Sequence, residues 1–148
     1  GNNNNNNNNN NSNSNSNQPP QPPPPPAEAA DDPAVFETEL KSREQLLGPH
    51  HPDVAESCSN LAILYNQRGE LAKALPLYER ALAIYEAHYG PNHPEVAHTL
   101  TDLAVLYLEQ EEDNRGRPLL ERALRIQEEA LGPDHPDVLA IKDVLNSE

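Results

Sequence analysis

One short sequence element occurs three times at a fixed spacing. The pentapeptide GPHHP that begins at Gly48 recurs as GPNHP at Gly90 and as GPDHP at Gly132, 42 residues further on each time. When residues 48–89 are laid over residues 90–131 without a gap, 19 of the 42 positions are identical. A period of this length is the signature of a repeat architecture, in which each unit buries its apolar surface against the next.

Each repeat predicts two helices separated by a short turn. Apolar residues recur at helical spacing over 52–67 and 71–89, and again over 94–110 and 114–131. A proline suits the first position of a helix, and the glycine that opens each pentapeptide suits the end of the preceding one. The flanking residues align with single helices, so the sequence predicts whole repeats at 48–89 and 90–131 and half repeats at 35–47 and 132–148. Six helices and no strand make this an all-α chain.

Small residues mark where the helices approach each other. Ala62, Ala74 and Ala81 have the counterparts Ala104, Gly116 and Ala123 in the second repeat. We therefore expect Ala81 and Ala104 to lie at helix contacts, where a larger side chain overpacks the seam.

Two features depart from a regular helical hairpin. Pro76 and its counterpart Pro118 stand about five residues into the second helices, which indicates a later helix start or a kinked first turn. Glu111 stands where the first repeat has Gly69. We expect the second turn to use Asp113 or Asn114 instead, because these residue types tolerate left-handed backbone better than most.

The pattern resembles the tetratricopeptide repeat. The matching positions are Leu61, Ala62, Tyr65, Gly69, Ala74, Tyr78 and Ala81. The resemblance covers residues 35–147 and implies a right-handed superhelical solenoid of helix-turn-helix units. These units are longer than the usual 34 residues, and with their Gly-Pro-x-His-Pro connector they resemble the repeats of kinesin light chains and nephrocystin-3.

The resemblance implies a non-catalytic protein–protein interaction scaffold that holds a peptide or a helix in a concave groove. The specific roles it implies are kinesin-light-chain-like cargo binding or a ciliary adaptor; the alternative is a sensor arm of a larger signalling NTPase. The implied groove positions are Glu56, Ser59, Ile63, Asn66, Gln67, His98, Thr101, Val105, Leu108 and Glu109. The family's chaperone-tail-binding members use groove lysines that this chain lacks. Kinesin-light-chain-like grooves carry an Asn before the Leu-Ala pair; Asn60 keeps it and Asp102 does not, which disfavours anionic cargo peptides.

Composition divides the chain in two. Residues 1–33 hold 13 Asn and 8 Pro and no Val, Ile, Leu, Phe, Tyr, Lys or Arg, which predicts a disordered tail ahead of a repeat array at 34–148. The formal net charge is −14, so nucleic acid and anionic membrane surfaces are poor partners. No window is apolar enough for a membrane span, and one cysteine fits a reducing, cytoplasmic compartment.

Candidate catalytic and metal-ligating residues have structural explanations. His51, His93 and His135 each precede a proline at a predicted helix start, which favours capping over metal binding. Cys58 lies in the apolar stripe of its helix, which favours a buried structural thiol over a nucleophile. None of the motifs GxxxxGK[ST], GxGxxG, HExxH or GxSxG occurs. We therefore expect no catalytic activity, no metal site, no cofactor and no small-molecule substrate.

Overall fold

The computed structural model describes Gly1 and residues 32–147 of the chain. The elements of this part are six helices and no strand, which confirms the all-α prediction. They are α1 (Pro33–Leu47), α2 (Pro52–Gln67), α3 (Leu71–Tyr89), α4 (Pro94–Glu109), α5 (Asp113–Leu131) and α6 (Pro136–Asn146). The predicted disordered tail falls mostly on residues 2–31, which lie outside the described residues.

Each helix packs mainly against the helix before it and the helix after it. The contacts are most extensive within the hairpins α2–α3 and α4–α5. One continuous apolar core runs along the stack from Leu40 on α1 to Leu145 on α6. This is the arrangement of a solenoid, in which each unit is stabilised by its neighbours.

The histidine of each connector caps the helix that follows it. The Nδ1 atoms of His51, His93 and His135 accept hydrogen bonds from backbone N–H groups two residues on, at 3.0, 3.1 and 3.1 Å. The first N–H groups of a helix have no partner within the helix, so a side-chain acceptor at this place stabilises its start. The prediction that these histidines are caps is confirmed.

Helix α1 begins earlier than the sequence pattern indicated. It starts at Pro33, inside the segment predicted as tail, because the Asp32 carboxylate accepts a hydrogen bond from the Ala34 N–H at 3.0 Å and caps it. Of the second helices, α3 begins at Leu71 as predicted and α5 begins at Asp113, one residue early, and both continue through Pro76 and Pro118. The alternative that the second helices start later, at these prolines, is therefore wrong.

The turn of the second repeat corrects the sequence-based expectation. Glu111 itself adopts left-handed backbone, with a φ of 59°, as Gly69 does in the first repeat with a φ of 76°. Asp113 is the first residue of α5 and takes no part in the left-handed position. The hairpin geometry demands a positive φ at this point of each repeat, and the second repeat meets that demand with a residue for which it is strained.

Small residues lie at the closest approach of paired helices, as predicted. Ala81 and Ala104 are fully buried. Gly116 on α5 faces α4 so closely that an added Cβ would stand 2.9 Å from the Ala104 carbonyl oxygen and 3.0 Å from Leu108 Cγ. The backbone of α4 is thus in direct contact with α5, and this position has no room for a side chain.

A repeated polar clamp joins each second helix to the preceding repeat. The Arg80 guanidinium donates to the Glu44 carboxylate of α1 and to the Pro49 carbonyl oxygen at 3.4 Å. Forty-two residues later, Arg122 donates to Glu86 at 2.8 Å and to the Pro91 carbonyl oxygen at 3.1 Å. The clamp fixes the register of α3 on α1 and of α5 on α3 with the same set of atoms.

Gly116→Ala is expected to lower the free energy of unfolding, although alanine favours a helix by about 1 kcal/mol over glycine. The new Cβ has to displace the backbone of α4, and overpacking of this kind costs about 1–3 kcal/mol. Ala81→Leu is expected to act in the same way at the other hairpin. Thermal unfolding checks both, with Ala130→Leu at an exposed position of α5 as the control. Melting of either buried variant at the parent temperature would mean that the helices are not in close contact there.

Glu111→Gly is expected to raise the free energy of unfolding by about 0.5–1 kcal/mol, because glycine adopts positive φ without strain. The reverse change, Gly69→Ala, is expected to lower it by a similar amount. No atom lies within 4 Å of a Cβ built at Gly69, so the effect there is purely conformational. Denaturant titration measures both; a destabilised Glu111→Gly variant would contradict the left-handed assignment.

Candidate concave binding groove

Two adjoining cavities lie where the first helices of successive repeats run side by side. The first cavity, of about 250 Å³, lies between α2 and α4 above Tyr85 of α3. The second, of about 340 Å³, lies between α4 and α6 above Leu120 and Gln127 of α5. His98 lines both cavities. Together they form one trough, which we call the groove, with walls from α2, α4 and α6.

The structure brings together some of the predicted groove residues. Glu56, Ser59 and Ile63 line the first cavity, and Thr101 and Val105 line the second. The first set lies on α2 and the second on α4, the two helices that carry the groove positions implied by the resemblance.

The other predicted residues lie outside these two cavities. Leu108 packs against α5 and lines a third cavity, of about 240 Å³, which shares Leu120 and Val144 with the second cavity and also includes Arg117. Asn66 is partly buried, and Gln67 and Glu109 are exposed. Asn66, Gln67 and Glu109 line none of these cavities. The groove therefore ends before the last positions that the resemblance implied on α2 and α4.

Asn60 and Asp102, the positions before the two Leu-Ala pairs, also line the first cavity. Several other lining residues were absent from the sequence-based set. They are Tyr85, Glu95, Thr99, Leu120, Gln127, Asp137, Ala140, Ile141 and Val144. The period contained a signal for the wall on α6, because adding 42 to His98 gives Ala140 and adding 42 to Asp102 gives Val144. The same step leads from Tyr85 to Gln127, so equivalent positions form the floors of the two cavities.

The groove is acidic. Glu56, Glu95 and Asp102 line the first cavity and Asp137 lines the second, while neither lining includes a Lys or an Arg. Burial raises the pKa of the Asp102 carboxyl, and His98, whose Nε2 lies 3.6 Å from Asp102 Oδ2, opposes that rise. Burial, with help from the charges of Glu95 and Glu56, raises the pKa of Tyr85 to about 12. The groove therefore carries uncompensated negative charge.

The remaining candidates from the sequence are the Cys58 thiol and the side chains that could bind a metal ion. Cys58 is fully buried, and burial raises the pKa of its thiol, which disfavours the reactive thiolate. Among the described residues, no three His, Cys, Asp or Glu side chains come together in a way that would hold a metal ion. No helix in the described ranges combines the length and the apolar character needed to cross a bilayer.

Comparison with protein families identifies the repeat. One family model described as tetratricopeptide repeat matches residues 34–87 and 59–115, and a second model with the same description matches residues 96–137. The chain belongs to the tetratricopeptide repeat family. Repeats of this family generally bind protein or peptide partners. A search of curated proteins finds no match.

Solved structures with this fold include kinesin-light-chain-like repeat proteins. The tetratricopeptide-like repeats of a kinesin light chain protein of Podosopora anserina match with a TM-score of 0.72 and 25% identity over 80% of this chain. BtubC (BKLC) from P. vanneervenii matches with a TM-score of 0.70 and 24% identity over 80% of this chain, which shows a common fold. This chain spans 56% and 47% of those two chains, about half their length.

Asp102→Asn is expected to raise the melting temperature at about pH 7. The folded-state pKa of Asp102 lies above the unfolded value, so ionisation opposes folding as the pH rises through that folded-state pKa. Below the unfolded pKa the carboxyl is neutral in both states, and the advantage of the variant should disappear at about pH 3.

Thermal melts of parent and variant at the two pH values check this expectation. The exposed change Glu129→Gln on α5 removes the same charge and serves as the control for relief of general repulsion. If Asp102→Asn and Glu129→Gln raise the melting temperature equally at about pH 7, burial of Asp102 plays no part.

Proposed function

We propose that the groove holds an extended peptide or one face of a partner helix, and that the chain acts through this contact alone. One observation carries the proposal: the two cavities share His98 and continue from α2 across α4 to α6. A solenoid exposes equivalent faces of successive first helices along one side, which suits an elongated ligand.

The lining of the groove supports a peptide better than a compact small molecule. The second cavity, about 340 Å³, is near the lower end of the range of about 300–1,000 Å³ for small-molecule pockets. It is walled largely by apolar groups, including Val105, Leu120, Ile141 and Val144. An apolar floor with polar rims is the arrangement that anchors a few side chains of a peptide or helix.

The likeness to kinesin-light-chain repeats supports a role as an adaptor for cargo or for the cytoskeleton, in the cytoplasm. A ciliary adaptor is a further form of the same role. The alternative, a sensor arm of a larger signalling NTPase, would use the same groove, and no feature of the described residues favours it.

Selection from a random dodecapeptide library on the immobilised chain tests the proposal. Peptides that bind are expected to bind Ile63→Asn and Val105→Asn variants at least about tenfold more weakly, because both changes remove apolar contact from the groove. Leu139→Asn is the matched control, since Leu139 is also an exposed apolar residue, 49% accessible, and lines neither cavity.

Thermal melts of the three variants separate loss of binding from loss of folding. Equal binding to the parent, the groove variants and the control would place the ligand elsewhere and contradict the proposal. A library that yields no binding peptide would contradict it as well.

A further inference from the structure

We propose that the groove selects a basic segment, and that the cavity between α4 and α6 receives a Lys or Arg side chain of the partner. This inference rests on the proposed function, because it assigns a ligand chemistry to the same groove. The aliphatic stem of the guest side chain lies along Val105, Ile141 and Val144. Its cationic head group donates to Gln127 and pairs with Asp137.

The first observation is the distribution of charge. Four carboxylates, those of Glu56, Glu95, Asp102 and Asp137, line the two cavities, and no Lys or Arg does. Protein surfaces that bind each other are arranged with complementary potentials, and like charges in contact disfavour a wrong partner. A cationic segment is therefore attracted along the whole groove and an anionic one is repelled.

The second observation is independent of charge and concerns Gln127. Its side chain forms part of the cavity wall and is only 9% exposed. Its carbonyl oxygen Oε1 is buried and accepts no hydrogen bond from any described residue. A buried acceptor without a donor is unfavourable. A rotation of the Gln127 side chain that turns Oε1 toward the cavity lets this atom accept a hydrogen bond from a guest N–H group.

The shape of the cavity distinguishes Lys and Arg from shorter donors. The walls next to Gln127 are apolar, formed by Val105, Leu120, Ile141 and Val144. Lys and Arg bury their methylene stems along such surfaces while the charged end reaches a polar partner. Asp137, in the first turn of α6, provides a carboxylate in the same cavity.

The counterpart of Gln127 in the first repeat is a different residue, and this difference indicates which of the two cavities binds the cation. Tyr85 forms the floor of the first cavity where Gln127 forms the floor of the second. Tyr85 carries an aromatic ring and a hydroxyl group, and its pKa is raised to about 12. We therefore assign the cation-binding position to the second cavity, and assign to the first a general attraction for positive charge.

The composition of the peptides selected from the dodecapeptide library is the first test. We expect Lys or Arg to be enriched at one position, next to apolar residues, and Asp and Glu to be depleted. Selected peptides that are acidic or purely apolar, yet still bind through Ile63 and Val105, would overturn this inference and leave the proposed function intact. A library without any binder would overturn both.

The second test uses a selected basic peptide and three variants of the full chain. Gln127→Leu and Asp137→Asn are each expected to weaken its binding by roughly tenfold, the effect of one lost charge-assisted hydrogen bond. Asp134→Asn makes the same charge change as Asp137→Asn three residues away, outside both cavities, and should bind like the parent.

Melting temperatures keep this test independent of folding. Gln127→Leu replaces an unpaired buried polar group by an apolar one of similar size, so its melting temperature should equal or exceed that of the parent. Weaker binding at unchanged or higher stability supports a ligand-binding role for Gln127. Binding to Gln127→Leu and Asp137→Asn at the affinity of the parent would overturn it.

Discussion

The contact between the backbones of α4 and α5 at Gly116 sets the separation of the second helical pair, and the groove depends on that separation. A glycine brings α5 within van der Waals contact of the Ala104 carbonyl oxygen, so Leu120 and Gln127 reach the space between α4 and α6 as its floor. A wider spacing would turn the cavity into an open cleft. Packing of small residues between α4 and α5 thus determines the shape of the cavity between α4 and α6.

Polar side chains differ in charge pairing between the two sides of the solenoid. On the side of the second helices, Arg80 and Arg122 donate to a carboxylate of the preceding helical unit and to a carbonyl of the connector that opens their own repeat. On the groove side, Asp102 is partly buried, and the exposed imidazole of His98 lies 3.6 Å from its carboxylate. Arginine side chains of the second helices therefore stabilise the stack, whereas the linings of the two groove cavities contain carboxylates and no Lys or Arg.

Much of the fold could be predicted from the period of 42 residues. Helix bounds, the histidine caps and the contacts of Ala81 and Ala104 follow from local pattern, because each is set by residues close in sequence or by the repeat itself. The left-handed backbone at Glu111 could not be found in this way. The geometry of the hairpin imposes it, and the local preference of Asp113 and Asn114 suggested another solution.

The groove was predicted in part for a similar reason. The walls on α2 and α4 follow from the resemblance, and Ile63 and Val105 lie in the cavities as the frame implied. The wall on α6 lies in a half repeat, and the groove positions implied by the resemblance lie only in the two whole repeats. The missing donor to Gln127 depends on what surrounds the side chain in three dimensions, which no single-sequence pattern records.

Contacts that link mainly successive helices also determine how the chain moves. Contacting residues are close in sequence, so the stack should fold rapidly, and single units can open locally without unfolding the whole. Helix α6 packs mainly against α5 and is also one wall of the cavity that contains Gln127. A ligand that touches both α4 and α6 would hold these two helices together, so occupancy would be reported by slower amide hydrogen exchange in α6.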